Sequence, residues 1–549
     1  MPIPRRSRLL PLALLISIVA ALAAAPGAGA AAKGFKYGVA AGDVNKSSAI
    51  LWARANKAGK TEVQVTAGNV FDDCDIAHAR FKAKATKDND LTVQKRVSGL
   101  KPGKTYKYRF CMAGGKHSST GTFETAPKPG QAKTIHFALT GDQDALPQPG
   151  QKKPYWNNFG VWNKIKAEKN DFNVLMGDTI YSDTEVPGYG LSNVATTVKK
   201  KWAKYRINLG QKPWVNVRSS ASYYSHWDDH EFINDFSQKE NSFPLGVGTV
   251  NISGPTLYKR GVEAFRDYNP ISYSKKNGIY RTFRWGKNLQ VFFLDERSFR
   301  SASADYQGTC DNPPGSGDPD LAPTAPQSTR NVFAVISPQL ANPVPPACTA
   351  KINDPSRTML GSAQLAKFKN AVKSSTATFK VIMNEVPIQQ YYALPYDRWE
   401  GYAAERANLL HFLHDNVKNV VFMTTDVHAN LVNDARFQTL ESGGPQNSGI
   451  LDVTTGPVAT ATYSLEINQA TGSSAAGPLI QAAFLKPQPP NGVGMQCAAT
   501  DQFSYAEATV TKSQLKIELK DINGQPVRDT GDRNSTSAPP CAAVVIPKQ

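Results

Sequence analysis

Acidic and amide side chains follow five apolar runs in this sequence, and each run has the length and composition of a buried strand. The runs and the polar residues that end them are TIHFALTGDQD with Asp142, DFNVLMGDTIY with Asp178 and Tyr181, LQVFFLDERSFR with Asp295 and Arg297, FKVIMNEVP with Asn384 and Glu385, and NVVFMTTDVH with Asp426 and His428. A sixth segment, YYSHWDDHEFINDF, contains Asp228, Asp229, His230, Glu231, Asn234 and Asp235.

These residue types predict a metal centre. In layered α/β folds ligands bind just outside the carboxyl ends of the strands, so we expect the six segments to converge. Several carboxylates held together repel one another and keep their protons unless a cation neutralises them. The set is rich in oxygen, has few histidines and lacks suitably spaced cysteines, which favours Ca²⁺, Mn²⁺ or Fe³⁺ over a pure zinc site.

The prediction depends on the combination of motifs. A single aspartate after a strand is commonly a helix cap or a turn residue, and a single histidine is commonly structural. Here GD, GD-x-x-Y, DDHE and D-x-H follow apolar strands in that order along the chain. Such an ordered set is much harder to obtain by chance than any one of its members.

The elements that would position these residues belong to residues 134–549. Apolar strands alternate there with helical stretches, a pattern typical of a layered α/β domain. The predicted helices include WNNFGVWNKIKAEKN, SAQLAKFKNAVKS and AAERANLLHFLHDNV. A Pro-, Gly- and Ser-rich section at about 301–355 interrupts the region as a surface insertion, and FSYAEATVTKSQLKIELKDINGQPV predicts a closing β-hairpin.

Residues 34–127 predict a separate small β-sandwich. Short β-rich runs such as AILWARA, EVQVTAG and GTFETA alternate with turns, and PKPGQAK follows as a linker. The piece SGLKPGKTYKYRF resembles a strand-turn-strand unit of fibronectin type III domains. Its Gly-Lys-Thr at 103–105 lacks the first glycine of a phosphate-binding P-loop, because Ser98 stands at that position, so we interpret it as a β-turn.

The first thirty residues have the pattern of an export signal. Arg5, Arg6 and Arg8 precede an apolar run, and Ala28-Gly29-Ala30 fits a cleavage site. The arginine pair leaves both the Sec and the twin-arginine route open. No other run is long enough to span a bilayer. We therefore predict no transmembrane helix after signal removal, and a secreted, periplasmic or wall-associated protein.

The chain of 549 residues is basic, with a formal net charge of +18, and +15 once the three arginines of the signal are removed. In an exported protein this charge favours polyanionic surroundings or serves solubility, and both interpretations stay open. No Lys/Arg block indicates a dedicated nucleic-acid-binding module. The chain is expected to be a monomer.

Six cysteines occur as three well-separated pairs along the chain. They are Cys74, Cys111, Cys310, Cys348, Cys497 and Cys541. Disulfides are the default in an exported chain. We predict sequential pairing, because each bridge then stays within one segment.

The order of the motifs resembles that of the calcineurin-like metallophosphoesterases and, more closely, that of the PhoD-like alkaline phosphatases. Blocks similar to that family run from about Phe35 to Asp452: FKYGVAAGDVNKSSAILWARA, GDTIYSD, HWDDHEFIND, FLDERSFR, RTMLGSAQ, KVIMNEVP, DRWEGYAAER and TTDVHAN. The resemblance implies an α/β fold, a layered α/β/β/α metallophosphoesterase sandwich preceded by a small fibronectin- or Ig-like β-sandwich.

By the same resemblance, six residues would bind two metal ions. Asp178 would bridge the ions, and Tyr181 and His428 would complete the shell of the first. The implied ligands are Asp142, Asp178, Tyr181, Asp229, Asp426 and His428. A phenolate ligand favours a trivalent ion, so the expected pair is Fe³⁺ with Ca²⁺, and Mn²⁺ and Zn²⁺ are alternatives.

Three further residues would act on the substrate. The resemblance implies that His230 protonates the leaving group or holds phosphate, and that Asn384 and Arg297 contact phosphate or metal. Whether Asp228 or Asp229 is the ligand in DDHE stays open.

Three features depart from the family pattern. Many members have a cysteine in the first block, where Asp142 is the replacement ligand here, with Asp144 nearby. Thr425 stands in place of a family glycine. The segment 301–355 is long and rich in proline, and it could reshape access to the site.

The expected function is that of an exported metal-dependent phosphoesterase. Such an enzyme would hydrolyse phosphate mono- or diesters with a metal-activated hydroxide. Two alternatives remain: a phosphodiesterase dedicated to wall polymers, phospholipids or nucleic acid, and a non-catalytic cell-surface binding protein with a structural metal site. A serine nucleophile is disfavoured, because the chain has no G-x-S-x-G elbow.

Overall fold

The computed structural model describes residues 34–335, 337–441 and 443–549. The predicted export signal lies outside these residues. Within the described part, no helix combines the length and the apolar composition that a bilayer crossing requires.

The strands are numbered in chain order. The first are β1 (Phe35–Gly42), β2 (Ser48–Ala55), β3 (Gly59–Thr66), β4 (Lys82–Ala85), β5 (Thr92–Ser98), β6 (Thr105–Met112), β7 (Lys116–His117) and β8 (Gly121–Glu124). The next are β9 (Ile135–Gln143), β10 (Phe172–Met176), β11 (Ser222–His226), β12 (Ser242–Leu245), β13 (Gly248–Asn251), β14 (Arg281–Trp285), β15 (Leu289–Phe293) and β16 (Phe379–Met383). The last are β17 (Val420–Thr424), β18 (Asn430–Asp434), β19 (Leu451–Thr454), β20 (Pro457–Ala459), β21 (Cys497–Ala499), β22 (Ser504–Val510), β23 (Gln514–Asp521) and β24 (Val544–Pro547).

The α-helices are numbered in the same way. They are α1 (Gly160–Glu168), α2 (Val198–Asn208), α3 (Lys212–Ser220), α4 (Gly254–Tyr268), α5 (Gln327–Phe333), α6 (Pro346–Asn353), α7 (Ser362–Lys373), α8 (Ala403–Asn416), α9 (Tyr463–Thr471) and α10 (Ala476–Ile480). Helices α1, α7 and α8 confirm the three helices predicted from the sequence.

Two large sheets form the centre of the molecule. The first has the strand order β24-β23-β22-β9-β10-β11-β1-β2-β5, and β20 also pairs with β9. The second has the order β14-β15-β16-β17-β19-β18-β21. Strands β9, β10 and β11 run parallel, and so do β15, β16 and β17, so the carboxyl ends of each set share one edge.

The two sheets pack face to face between two layers of helices. Successive side chains of a strand point to opposite faces. Val174 therefore joins the core between the sheets, together with Val291 of the second sheet, and its neighbour Leu175 faces Trp162 and the outer helices. On the other side α7 and α8 cover the second sheet. These layers confirm the α/β/β/α sandwich.

The N-terminal strands form a β-sandwich that shares a sheet with the rest of the chain. The sheet β4-β3-β6-β7, with β8 beside β6, packs over β1, β2 and β5 around a core that includes Phe110 and Leu51. Strand β1 pairs in parallel with β11, with Ala41 opposite Ser222. Main-chain hydrogen bonds thus join a strand that precedes the predicted linker to a strand that follows it. The domain boundaries at 127 and 134 stay a prediction.

The disulfides and the C-terminal hairpin agree with the sequence predictions. Three bridges join Cys74 to Cys111, Cys310 to Cys348 and Cys497 to Cys541, which is the sequential pairing. The second bridge lies within the Pro-rich section. Strands β22 and β23 form the predicted hairpin, and β22 adds antiparallel to β9.

Candidate metal centre

Four of the predicted ligands stand in strained backbone at the ends of strands. The φ angles of Asp142, Asp178, Asp426 and His428 are 59°, 47°, 72° and 53°, in the left-handed region. Such conformations cost about 1–3 kcal/mol each and collect at functional sites. Gly177 makes one of these turns feasible, because a Cβ at that position would lie 2.5 Å from the Cβ of Asp228.

The first group of ligand atoms contains Asp142, Asp178 and His428. Their oxygen and nitrogen atoms lie within 4.8 Å of one another, and all three side chains are buried. The hydroxyl of Tyr181 lies 2.8 Å from His428 Nε2. Residues up to 286 positions apart in sequence therefore meet as a set of oxygen and nitrogen donors.

Two further groups continue from the first, the second sharing Asp178 with it and the third sharing Asp229 with the second. One contains Asp178, Asp229 and His230, and the other contains Asp228, Asp229 and Asp426, each again within 4.8 Å. Asp178 belongs to two groups and so lies between them. Asp229 occurs in two of these groups, whereas Asp228 occurs in one of them and its Oδ1 accepts a hydrogen bond from Arg297 Nε. This arrangement favours Asp229 over Asp228 as the predicted ligand.

The donors fit hard cations. Asp142 is fully buried, and among the described residues neither of its carboxylate oxygens has a hydrogen-bond partner. A buried carboxylate without a partner is costly unless a cation balances it. Burial raises the pKa of Asp142 to about 6, and burial together with Asp397 and Asp229 raises the pKa of Asp426 to about 8. Burial also raises the pKa of Asp178 well above its usual range.

His230 lies beside the shared carboxylate and is held by Asp183. Its Nδ1 lies 2.7 Å from Asp183 Oδ1, its main-chain N–H donates to Asp178 Oδ1 at 3.2 Å, and its ring stacks on Tyr181 at 4.0 Å. Burial opposes the imidazolium form, but the charges of Asp183, Asp229 and Asp178 outweigh it and raise the pKa of His230 well above its usual range. These contacts fix the ring of His230 between Asp183 and Tyr181.

Glu231 joins the two loops that carry Asp178 and Asp229. Its carboxylate accepts the main-chain N–H groups of Asp178 at 3.1 Å, Thr179 at 2.7 Å and Asp228 at 2.7 Å. The buried ammonium of Lys201 makes a second cross-link, because it donates to Ser182 Oγ at 2.6 Å and to the Phe232 carbonyl at 2.8 Å. These contacts fix the spacing of the loops.

Arg297 lies buried among carboxylates. Its Nε donates to Asp228 Oδ1 at 2.5 Å, and its Nη1 and Nη2 donate to Asp397 at 2.6 and 2.8 Å. Nη2 also lies 3.7 Å from Asp229 and 3.9 Å from Asp426. This guanidinium holds the acidic loops together, and these contacts favour a positioning role over direct contact with phosphate.

Asn384 follows β16 and faces inward. It is fully buried, and its Nδ2 donates to the Val386 carbonyl at 2.5 Å. Its Oδ1 has no hydrogen-bond partner among the described residues. An amide oxygen in this state is available to a cation or to a donor on a substrate.

Comparisons with known proteins identify the family. The profile of the PhoD-like phosphatase family matches residues 149–519, and that of the PhoD-like phosphatase N-terminal domain matches residues 21–127. The first match covers more than half of the chain. The protein belongs to the PhoD-like phosphatase family. The resemblance inferred from the motifs is thereby confirmed.

Individual relatives of this PhoD-like protein are more distant. Alkaline phosphatase D of Bacillus subtilis (strain 168) is 26% identical in an alignment of 442 residues that covers 72% of this chain and 64% of the relative. The match thus spans slightly less than two thirds of that relative's length. A solved structure of PhoD superposes with a TM-score of 0.66 at 19% identity, covering 95% of this chain and 92% of the other.

A purple acid phosphatase from yellow lupin (Lupinus luteus) seeds has the same layered fold. It superposes on the PhoD-like chain with a TM-score of 0.54 at 12% identity, covering 91% of this chain and 74% of the other. At these identities both solved structures show the likeness of the fold alone.

The structure adds residues that the sequence analysis did not single out. Asp183 stands in the quoted GDTIYSD motif and Asp397 in DRWEGY, so their motifs could have indicated them. Glu466, which lies on helix α9, places its Oε1 2.5 Å from His428 Nδ1. It follows no strand and lies outside every matched motif, so no pattern in this PhoD-like sequence pointed to it.

Proposed function

We propose that this protein is an exported, metal-dependent phosphoesterase that hydrolyses phosphate mono- or diesters at a two-ion centre. One observation carries the proposal: Asp178 belongs at once to the group with Asp142 and His428 and to the group with Asp229 and His230. Two overlapping groups that share a carboxylate suit a bridged pair of ions. The name of the relative, alkaline phosphatase D, supports the reaction class.

Each ion has its own candidate ligands. Asp142, Asp178, Tyr181 and His428 would hold the first, and Asp178, Asp229, Asp426 and the Asn384 amide oxygen would hold the second. When bound, such ions lower the pKa of water and offset charge on the phosphoryl oxygens. Burial and the charges of Asp178 and Asp142 raise the pKa of Tyr181 well above its usual range, so its phenolate form requires a strongly charged cation, which favours Fe³⁺. Ca²⁺ suits the oxygen-only second group, with Mn²⁺ and Zn²⁺ as alternatives.

The residues around the ions prepare the remaining steps. His230, oriented by Asp183, is placed to protonate the leaving oxygen of the ester. Arg297 keeps Asp228 and Asp397 in position, and Glu231 holds the backbone of Asp178. Burial of these side chains strengthens the electrostatic contacts among them.

Export is part of the proposal. The basic and apolar leader supports it, and so do the three disulfides, which persist in oxidising compartments. The positive charge suits polyanionic surroundings, so a phosphodiester polymer is a candidate substrate beside small monoesters. The chain is proposed to act as a monomer.

Replacement of Asp178 by asparagine tests the reaction. We expect hydrolysis of p-nitrophenyl phosphate and of bis(p-nitrophenyl) phosphate to be lost, with the circular dichroism spectrum unchanged. The ratio of the two wild-type rates distinguishes a monoesterase from a dedicated diesterase. Unchanged turnover in the variant would refute the catalytic assignment of Asp178, whereas a wild type that cleaves neither ester would favour a binding protein with a structural metal site. Elemental analysis and a visible iron–tyrosinate band on the wild type identify the ions.

A further inference from the structure

Both ring nitrogens of His428 are engaged. Nε2 lies 2.8 Å from the Tyr181 hydroxyl, on the side of Asp142 and Asp178, and Nδ1 lies 2.5 Å from Oε1 of Glu466. A carboxylate only accepts hydrogen bonds, so Nδ1 carries the proton in this contact. The lone pair of the neutral ring is then on Nε2, the atom that faces the proposed first ion.

Main-chain hydrogen bonds anchor the start of helix α9, which carries Glu466. The N–H of Tyr463 donates to the His428 carbonyl at 3.1 Å, and the N–H of Ser464 donates to the Thr500 carbonyl at 2.9 Å. Residues three apart lie on the same face of a helix, so the side chain of Glu466 projects from the same side as Tyr463. Helix α9 therefore contacts both the main chain and the ring of His428. These contacts help to hold its backbone in the left-handed region, at a φ of 53°.

We infer that Glu466 is a positioning residue for His428: it selects the tautomer protonated at Nδ1 and holds the ring so that the Nε2 lone pair points at the first metal ion. The inference rests on the proposed function in taking His428 as a ligand. Carboxylates behind a ligating histidine raise its basicity, and their removal typically weakens metal binding by about 10–100-fold.

A pair of substitutions isolates this role. Glu466→Gln keeps an oxygen that accepts the Nδ1 hydrogen bond, whereas Glu466→Leu removes the acceptor. The mature protein is stripped with a chelator, and Mn²⁺ is titrated back by calorimetry. We expect Glu466→Leu to bind Mn²⁺ about 10–100-fold more weakly than the wild type, and Glu466→Gln to recover most of that loss. Glu263→Gln, at an exposed position on α4, is the matched control and should bind like the wild type.

Three results would overturn the inference. The first is wild-type Mn²⁺ affinity in Glu466→Leu. The second is an equal loss in Glu466→Gln and Glu466→Leu, which would make Glu466 itself a ligand, together with Glu185 nearby. The third is a lower unfolding temperature in both variants with unchanged affinity, which would mean that Glu466 only anchors α9. A wild type that binds Mn²⁺ but cleaves no phosphate ester would refute the proposed function and leave this test valid.

Discussion

Asp142 and Asp295 both follow apolar strands, but they differ in the hydrogen-bond partners of their carboxylates. Asp142, at the end of β9, has no hydrogen-bond partner for either oxygen among the described residues. Asp295, after β15, accepts from Trp227 and from the main-chain and side-chain donors of Ser298, and from the Ile279 N–H at 2.8 Å. One carboxylate is left for a cation and the other is already satisfied by the protein.

The same contrast extends to the neighbours of these residues. Beside Asp295, Glu296 and Glu385 each accept the main-chain N–H of the other, at 2.7 and 2.5 Å. Arg297 neutralises Asp397 and also Asp228, which follows β11 of the first sheet. The charged groups that follow β15 thus have partners within the protein. The carboxylate of Asp142 has none among the described residues, which is the electrostatic condition for holding a metal ion.

Matched asparagine variants test this contrast most strongly. Asp142→Asn should lower kcat/KM by about a thousandfold or more, because a metal ligand is lost. In chelator-treated protein it should also raise the unfolding temperature, since a buried repelling carboxylate is removed. Asp295→Asn should instead lower the unfolding free energy by about 1–3 kcal/mol and leave the metal content unchanged. Equal effects of the two variants on metal content would contradict the distinction between Asp142 and Asp295.

Removal of the Arg297 charge tests the compensation on the second sheet. Arg297→Met should lower the free energy of unfolding by about 3–5 kcal/mol, because Asp228 and Asp397 would lose their buried partner. Urea titration of wild type and variant measures the change. Adding Asp397→Asn should restore part of the loss, and a double variant as unstable as the sum of both single variants would show that the pair is not coupled.

Asp183→Asn tests the orientation of His230 on the first sheet. The variant should lower kcat by about 10–100-fold on an alkyl phosphate, whose leaving oxygen needs a proton. The loss should be smaller on p-nitrophenyl phosphate, because p-nitrophenolate leaves without one. Steady-state rates on both esters with an unchanged metal content provide the measurement. The same loss on both esters would rule out proton donation by His230.

Glu507 offers a test of pH dependence away from the site. It lies on β22 of the first sheet, where burial raises its pKa to about 8 while Asn170 donates to it at 3.1 Å. The folded state keeps the proton of Glu507 to a higher pH than the unfolded state does. The stability that depends on this proton is therefore fully present below about pH 4.5 and is lost as the pH rises through 8. Glu507→Gln should therefore raise the unfolding free energy at pH 9 by up to about 5 kcal/mol and leave it unchanged at pH 4. A gain of the same size at both pH values would contradict the assigned pKa.

Much of the fold was predictable because its signals are local. The apolar runs in DFNVLM and KVIM predicted strands, and AAERANLLHFLHDNV predicted α8. The sheet shared between β1 and β11 was not predictable, since the pairing of Ala41 with Ser222 depends on how two distant segments pack. Among the site residues, the ends of strands indicated Asp142, Asp178 and Asp426, but no pattern separated free carboxylates from paired ones.

The sequence alone determined the chemistry that is available: which side chains follow the strands, in which order, and in which family. The tertiary structure decided which of these groups are free. Among the described residues, the Asp142 carboxylate has no hydrogen-bond partner, whereas the Arg297 guanidinium is paired with acidic side chains. Glu466 contacts His428, 38 positions away in sequence. Strand propensity and motif order are properties of neighbouring residues, whereas hydrogen-bond partners are set by the packing of loops from different strands, and a linear pattern does not contain that information.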